Sequence, residues 1–273
     1  MIIKNREFDF KNNVYIMGIL NVTPDSFSDG GKFNSLDSAL FHTEKMIKEG
    51  VDIVDVGGES TRPNHIKISN LEEIDRVYSV IEKIRENFDI PISLDSYKSK
   101  VLKANINHID MINDVWGLKY DSDMASIVAK SSLPYCLMHN RSKNDYNNFF
   151  DDLIDDIKSS LKIAKKNNID DDKIIIDGGV GFQKNYNQNL EVINKTDKLL
   201  QLGYPVLVGT SRKSVIGYVL DKKKASDRLY GTLATTAIAV SKGASLIRVH
   251  DICENYDVIK MTKSIIGESK WIK

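Results

Sequence analysis

The chain has 273 residues, with 38 basic and 38 acidic side chains, so its formal net charge at neutral pH is zero. Such a balance gives no reason to expect nucleic acid or an anionic membrane as a partner. No run approaches the roughly 20 apolar residues of a membrane-spanning helix, and the first residues do not resemble a signal peptide. Cys136 and Cys253 are far apart, without metal-like spacing. We therefore expect a cytoplasmic protein with reduced thiols.

A short apolar strand followed by a helix recurs along the chain. Residues 2–10 alternate weakly between apolar and polar and predict a short hairpin before the main fold. The eight predicted strands that follow are 15–21, 53–57, 92–95, 111–115, 135–139, 173–177, 206–209 and 246–250. The predicted helices are 36–49, 71–87, 98–107, 123–130, 149–167, 189–202, 214–220, 227–242 and 256–266.

These strands are β-branched and apolar on both faces, which is typical of a parallel sheet covered by helices. Pro91, Pro134 and Pro205 stand just before three of them, where a missing N–H costs least. Eight such units without a change in composition predict a single α/β domain over residues 1–273, a closed (β/α)8 TIM barrel. An open doubly wound sheet is the alternative, but no Gly-x-Gly-x-x-Gly follows the first strand.

Polar residues stand at the carboxyl ends of the predicted strands, and in a barrel these ends form one mouth where function is located. The first strand ends at Asn21 and enters a polar, glycine-bearing loop within Met17–Gly31. An ordinary βα turn is the alternative for this loop, and one Asp after one strand is more often a cap or turn residue. Eight polar ends that converge on one mouth predict a functional site.

The polar ends divide into two chemical groups. Asp95, Asn113 and Asp177 end the third, fourth and sixth strands, and two carboxylates with an amide suit a neutral, nitrogen-rich heterocycle. The second group supplies cations, hydroxyls and amides that suit phosphate or carboxylate. Its members are Asn21, Thr61, Arg62, Lys213, Ser214, Arg248 and His250.

Several other interpretations remain open from the residues alone. A structural salt bridge is the alternative for Arg248. His139 either lines the mouth or satisfies a strand end, and Cys136 within an apolar strand is more typical of a core thiol than of a nucleophile. There is no zinc pattern, so any metal is expected to be Mg²⁺ held through substrate phosphates and one protein oxygen such as the Asn21 amide.

Six motifs, in order along nearly the whole chain, resemble those of the dihydropteroate synthase family. They are MGILNVTPDSFSDGG (17–31), GGESTRP (57–63), LDSYK (94–98), IND (112–114), GTSRKS (209–214) and RVHD (248–251). The resemblance implies a cytosolic (β/α)8 barrel that condenses 6-hydroxymethyl-7,8-dihydropterin diphosphate with p-aminobenzoate. It also implies Mg²⁺ as cofactor, a homodimer formed through helices late in the chain, and inhibition by sulfonamides.

The resemblance assigns roles to residues of this chain, with Asp95 and Lys213 as catalytic residues. The implied pterin-binding residues are Asp95, Asn113, Met138, Asp177 and Lys213. The implied diphosphate-binding residues are Asn21, Thr61, Arg248 and His250, with Asn21 also facing Mg²⁺. The implied p-aminobenzoate side consists of Thr61, Arg62, Pro63, Phe182, Lys213 and Ser214. The chain departs from the family pattern after Asp177, where Gly178 replaces a proline and Val180 replaces an aromatic residue.

The implied mechanism begins with departure of diphosphate from the pterin methylene. Asp95 stabilises the resulting cation, and the arylamine attacks it while loops 22–34 and 61–70 exclude water. Two alternative functions would place the chain in other classes of protein. A pterin-binding module of the methyltetrahydrofolate methyltransferase type would have no reason to keep a diphosphate site. A Schiff-base aldolase would use Lys213 as its nucleophile.

Overall fold

The computed structural model describes residues 1–23, 31–60 and 66–267, with side chains from residue 36 onward in the first helix. The chain begins with an antiparallel hairpin of β1 (Ile2–Ile3) and β2 (Arg6–Glu7), as predicted. Eight parallel strands then close into a barrel through pairing of the last with the first, so the prediction of a closed barrel is confirmed. These strands are β3 (Tyr15–Asn21), β4 (Ile53–Gly57), β5 (Ile92–Asp95), β6 (Met111–Asp114), β7 (Tyr135–Met138), β8 (Ile174–Asp177), β9 (Val206–Val208) and β10 (Leu246–Val249).

Helices follow each strand and surround the barrel. They are α1 (Gly31–Lys48), α2 (Asn70–Asn87), α3 (Ser99–Asn105), α4 (Met124–Ser131), α5 (Phe149–Lys166), α6 (Tyr186–Asn194), α7 (Thr196–Leu200), α8 (Ser214–Val219), α9 (Leu229–Ser241) and α10 (Ile252–Ile266). Among the helices that the structure describes, none combines the length and the apolar character needed to cross a membrane.

Three of the predicted helices differ from the observed ones by more than two residues at a boundary. The first helix begins at Gly31, so residues 31–34 are not part of the preceding loop. The predicted helix 189–202 is two helices, because α6 starts earlier at a capping box of Asn185 and Gln188 and ends before Lys195. The last helix begins at Ile252, four residues earlier than the apolar pattern indicated.

Alternate residues of each strand point into the barrel or toward the helices. On β3, a Cβ on Gly18 would meet Met46 and Ile252 of the surrounding helices, so Met17 faces inward. The inward residues nearest the amino ends form one buried apolar cluster together with Ile3 and Phe8 of the hairpin. The strand members of this cluster are Met17, Ile53, Met111, Cys136, Ile175, Leu207 and Leu246.

The hairpin therefore packs under the amino-terminal end of the barrel interior, and the polar strand ends of the candidate site lie at the opposite end. Cys136 is fully buried, and burial raises the pKa of its thiol well above the usual value, as expected for a core thiol. Pro91, Pro134 and Pro205 accept hydrogen bonds through their carbonyls from the neighbouring strands while donating none.

The segment after β8 turns sharply at Gly179, whose φ is +68°. A Cβ at Gly179 would collide with the carbonyl oxygen of His139, so the backbone of this loop lies directly against the end of β7. Gly203 also has a positive φ, +89°, but nothing lies within 4 Å of the position of its missing Cβ.

These two glycines allow a matched test of packing against backbone strain. We expect Gly203→Ala to lower the free energy of unfolding by about 1 kcal/mol, since only left-handed strain is added. Gly179→Ala adds a collision with rigid backbone and should cost about 3 kcal/mol or more. Denaturant unfolding of both variants measures the difference, and equal losses would contradict the close approach to His139.

Candidate active site

The carboxyl ends of β3, β4 and β5 place Asn21 and Asp95 on the two sides of Gly57. Gly57 lies between them, and the position of its missing Cβ is 3.6 Å from Cβ of Asp95 and 3.9 Å from Oδ1 of Asn21. A side chain at position 57 would stand between these two polar groups. With glycine there, no side chain of β4 separates the Asn21 amide from the Asp95 carboxylate.

Arg248 lies at the centre of the site and joins two carboxylates. Its Nε donates to Oδ2 of Asp55 at 2.6 Å, and its Nη2 donates to Oδ2 of Asp95 at 2.6 Å. The salt bridge that the sequence left open for Arg248 therefore exists. It also connects the two predicted chemical groups, since Asp95 belongs to one and Arg248 to the other.

Asp55 was not among the predicted site residues, because it lies inside a strand rather than at its end. It is fully buried within β4, and its Oδ2 also accepts a hydrogen bond from Nδ2 of Asn113 at 3.0 Å. The signal was present, because Ile53, Asp55 and Gly57 share the inward face of one strand. A carboxylate on an inward face requires a partner in the barrel interior.

Two buried carboxylate oxygens near Arg248 receive no hydrogen bond from the described part of the chain. They are Oδ1 of Asp55 and Oδ1 of Asp95. A buried acceptor without a donor is costly, and a ligand with N–H groups removes that cost. This pair of acceptors supports the interpretation that a nitrogen-rich heterocycle binds here.

Asp177 and Lys213 lie on the facing side of the mouth. Oδ1 of Asp177 accepts from the backbone N–H of Gly179 at 2.7 Å. Nζ of Lys213 donates to the carbonyl of Val180 and lies 4.9 Å from the centroid of the Phe182 ring. The loop after β8 therefore holds both groups.

An apolar wall completes this part of the mouth. Met138 is buried in a cluster with Tyr97 and Val115, and Trp116 and Phe182 pack against them. Met138 and Phe182 were predicted, whereas the other three were missed. Their sequence signal was weak, because an apolar residue after a strand end is also typical of ordinary core packing.

Burial dominates the electrostatics of the site. It raises the pKa of Asp95 to about 7, although Arg248 acts in the opposite direction, and the charge of Asp55 raises it further. Burial also raises the pKa of Asp177 and lowers that of Lys213 to about 8. Three carboxylates face two cations, so one proton on a carboxylate makes the group neutral.

The remaining predicted residues lie around this centre. Asn21 is half-buried at the end of β3. Nδ1 of His250 is 2.9 Å from Oγ of Ser211, which also accepts the backbone N–H of His250 at 3.2 Å. Ser214 is exposed at the start of α8. Thr61, Arg62 and Pro63 lie outside the described residues.

The segment that carries Lys213 and Ser214 is held from behind by two arginines. Arg212 has φ of +56°, and its guanidinium forms a bidentate ion pair with Asp251, including Nε to Oδ2 at 3.0 Å. Nη1 of Arg228 donates to the carbonyl of Arg212 at 2.9 Å. Arg212 therefore positions its neighbours rather than facing the mouth.

His139 satisfies the end of its strand rather than lining the mouth. Its ring is buried between Asp156 and Lys184, with Nε2 3.0 Å from Oδ2 of Asp156. Among the described residues there is no group of three or more His, Cys, Asp or Glu side chains arranged to hold a metal ion.

The fold and the site together define a class of barrel enzymes whose mouth binds a nitrogen heterocycle beside an anion. A family model described as "pterin binding enzyme" matches residues 17–250. The dihydropteroate synthase of Clostridium beijerinckii is 50% identical over 268 residues, which cover 97% of this chain and 99% of the relative.

Two solved structures give the same result. A Clostridium difficile dihydropteroate synthase determined in the presence of pteroic acid is 46% identical, with a TM-score of 0.92, over 95% of this chain and 99% of that one. A Xanthomonas albilineans dihydropteroate synthase with 4-aminobenzoic acid is 34% identical, with a TM-score of 0.90, over 94% of each chain. The chain belongs to the dihydropteroate synthase family.

The charge of Asp55 can be tested through its effect on Asp95. We expect Asp55→Asn to lower the pKa of Asp95 from about 7 toward the usual range of a carboxyl. A negative neighbour is removed, and Arg248 is left to pair with Asp95 alone. Carbon-13 NMR titration of labelled aspartate carboxyls in the ligand-free protein measures this pKa.

Asp110→Asn is the matched control for this test. Asp110 is another buried carboxylate, but it accepts from Ile92 at the amino ends of the strands and pairs with Arg85. This change should leave the titration of Asp95 unaltered. The proposed coupling of Asp55 to Asp95 would be contradicted if Asp55→Asn left the pKa of Asp95 unchanged. It would also be contradicted if both substitutions changed that pKa equally.

Proposed function

We propose that this chain condenses 6-hydroxymethyl-7,8-dihydropterin diphosphate with p-aminobenzoate, giving 7,8-dihydropteroate and diphosphate. The observation that carries the proposal is the pair of buried carboxylate oxygens without a donor, which lie beside the Arg248 guanidinium. The neighbouring family members, with their pteroic acid and 4-aminobenzoic acid complexes, support the same reaction. The cations at the mouth favour it over a methyl-transfer module.

Asp95, Asn113 and Asp177 are proposed to bind the pterin ring through its N–H groups and carbonyl. Asp95 and Asp177 supply acceptors, whereas the Asn113 amide offers both a donor and an acceptor. Met138 and Phe182 supply the apolar surface against which a flat ring packs. Lys213 is proposed to reach the ring from the facing side.

Asn21, Thr61, Arg248 and His250 are proposed to bind the diphosphate. The Arg248 guanidinium has five N–H donors, and its contacts with Asp55 and Asp95 use two of them. The others can reach an anion above the carboxylates. This arrangement lets one side chain belong to a salt bridge and still bind substrate.

Mg²⁺ is proposed as the cofactor, with the Asn21 amide oxygen as its protein donor. The Asn21 amide lies at the carboxyl end of β3, where its oxygen would contact a hydrated ion attached to a substrate phosphate. When bound, Mg²⁺ would neutralise the charge of the leaving diphosphate. Every other contribution in the mechanism comes from side chains.

The p-aminobenzoate is proposed to enter beside Phe182, with its carboxylate toward Ser214 and its ring against the wall. Lys213 and Arg62 are proposed to add positive charge on this side, and the neighbouring Thr61 and Pro63 are further members of the proposed p-aminobenzoate site. Lys213 remains mostly protonated at pH 7 because its pKa is about 8, and its Nζ is held by a carbonyl. These features favour a binding role over a Schiff-base nucleophile.

The proposed reaction begins when the bond between the pterin methylene and the diphosphate oxygen breaks. The methylene cation is delocalised into the pterin ring, and the ionised Asp95 stabilises it electrostatically. The arylamine nitrogen then forms the new C–N bond and releases a proton to solvent or to diphosphate. Positioning and charge stabilisation supply the catalysis, without a covalent enzyme intermediate.

Product formation tests this proposal. Purified protein with Mg²⁺, the pterin diphosphate and p-aminobenzoate should give dihydropteroate, followed by chromatography, and omission of p-aminobenzoate or of metal should abolish it. Asp95→Asn should lower kcat about 100-fold because the cation loses its counter-charge. Asp172→Asn, on the exposed surface at the other end of the barrel, should have no effect. Pterin binding without any product would favour the methyltransferase-type module instead.

We also propose that the chain forms a homodimer through α9 and α10. Tyr230, Ala234 and Ile238 make an exposed apolar stripe at four-residue spacing on α9. Met261 and Ile265 make a similar stripe on α10, which packs against α9. Exposed apolar surface on adjacent helices is characteristic of an interface between copies.

Charge on this surface should disrupt the dimer. We expect Ile238→Glu to convert the protein to monomers, because burial of an unpaired carboxylate in an apolar interface is costly. Phe41→Glu changes an apolar residue on α1 that is more exposed than Ile238, and it should leave the dimer intact. Sedimentation velocity distinguishes the species, and a monomeric wild type or a dimeric Ile238→Glu variant would refute the interface.

A further inference from the structure

Lys184 lies behind the mouth, outside the set of residues assigned to substrates. Its Nζ donates to the carbonyl of Gly179 at 2.8 Å and to that of Phe182 at 3.0 Å, and it lies 2.9 Å from Nδ1 of His139. The protonated Lys184 side chain has three N–H donors, and these three contacts use all of them; burial lowers its pKa to about 7. The side chain therefore links the loop after β8 to the end of β7.

His139 is itself fixed as the acceptor for this lysine. Its Nε2 faces Oδ2 of Asp156 at 3.0 Å, so the proton sits on Nε2 and the lone pair on Nδ1 faces Lys184. Burial lowers the pKa of His139 to about 4, which keeps the ring neutral at pH 7. Arg141 and Lys119 also pair with Asp156 and hold it in place.

The loop of residues 178–182, to which Lys184 donates its hydrogen bonds, has little local stiffness of its own. It contains Gly178, Gly179 and Gly181. A glycine-rich segment has more conformations to lose than one with proline. The bonds from Nζ to the carbonyls of residues 179 and 182 close the loop on itself and restrict these conformations.

The same loop positions two groups of the site. The N–H of Gly179 donates to Oδ1 of Asp177, and the carbonyl of Val180 accepts from Nζ of Lys213. Both peptide groups belong to the loop that receives the hydrogen bonds of Lys184. A shift of this segment would move the Asp177 carboxylate and the Lys213 ammonium together.

We propose that Lys184, oriented by His139 and Asp156, is a positioning residue that fixes the 178–182 loop and through it Asp177 and Lys213. This inference rests on the proposed function for its effect on pterin. Its structural part, the link between the loop and β7, stands without a ligand.

The first test uses the ligand-free protein. Lys184→Met keeps an apolar stem and removes the three donors, so hydrogen exchange at the amides of Gly179 and Gly181 should accelerate at least about tenfold. Lys195→Met, which breaks a half-buried pair with Glu191 at the end of α6, is the matched control and should leave those amides unchanged. Unchanged exchange in Lys184→Met would overturn the inference, whatever the substrate.

The second test separates pterin from diphosphate by calorimetry. Lys184→Met should weaken binding of a dihydropterin without diphosphate about tenfold. It should leave binding of inorganic diphosphate with Mg²⁺ unchanged. In the Asp177→Asn background the loss for pterin should be much smaller, because both changes act on one group. Equal losses for pterin and diphosphate, or additive losses with Asp177→Asn, would overturn a positioning role.

A second variant distinguishes the loss of the Lys184 hydrogen bonds from unfolding of the protein. Lys184→Gln retains an amide donor on a shorter stem, and it should show the same pattern with smaller effects. A wild-type protein that binds no pterin would refute the proposed function. The exchange measurement would still decide whether Lys184 fixes the loop.

Discussion

The burial of three carboxylates with two cations at one end of the barrel is the constraint on which the site depends. Asp55, Asp95 and Asp177 come from three different strands, and only a closed barrel brings them to Arg248 and Lys213. Buried charges are costly unless they are paired and hydrogen-bonded, so the strands must keep their register for the pairs to form. The apolar layer below, closed by the hairpin, supplies the stability that this polar layer does not.

The change from apolar to polar occurs over a single step along the inward faces of the strands. Met111 is followed two residues later by Asn113, Ile175 by Asp177, and Leu246 by Arg248. Because inward residues recur every second position, one further step carries the chain from core to site. The rigid apolar layer thus lies directly beneath the groups that need precise placement.

Much of this arrangement could be predicted from the sequence, because the ends of parallel strands meet whatever the details of packing. Asp95, Asn113 and Asp177 were identified in this way. Asp55 was not, since it lies inside an apolar strand and its partner Arg248 is 193 residues away. Lys184 was not either, because its role depends on the turn of a glycine loop toward β7, which no periodicity records. The capping residues Asn185 and Gln188 were visible in the sequence, but the start of this helix was predicted from its apolar spacing and was placed at Asn189.

In the loop after β8, Gly178 lies close against side chains of α6 and α7. A Cβ at Gly178 would be 2.6 Å from Cγ1 of Val192 and 3.0 Å from Cδ1 of Leu199, so side chains of α6 and α7 would have to shift to admit a larger residue. In the proposed role of Lys184, its hydrogen bonds restrict the loop in place of the fixed φ of a proline.

The charge balance also bears on the proposed chemistry. With all three carboxylates ionised, the buried group carries one net negative charge, which favours the pterin cation but opposes the diphosphate that must leave. Arg248 and Lys213 are already matched to carboxylates, so they cannot alone neutralise a diphosphate. Additional positive charge must come from outside this buried group, and that requirement supports both the proposed Mg²⁺ at Asn21 and the proposed role of Arg62. The negative charge that would stabilise the cation is thus the charge that the proposed Mg²⁺ would offset at the leaving group.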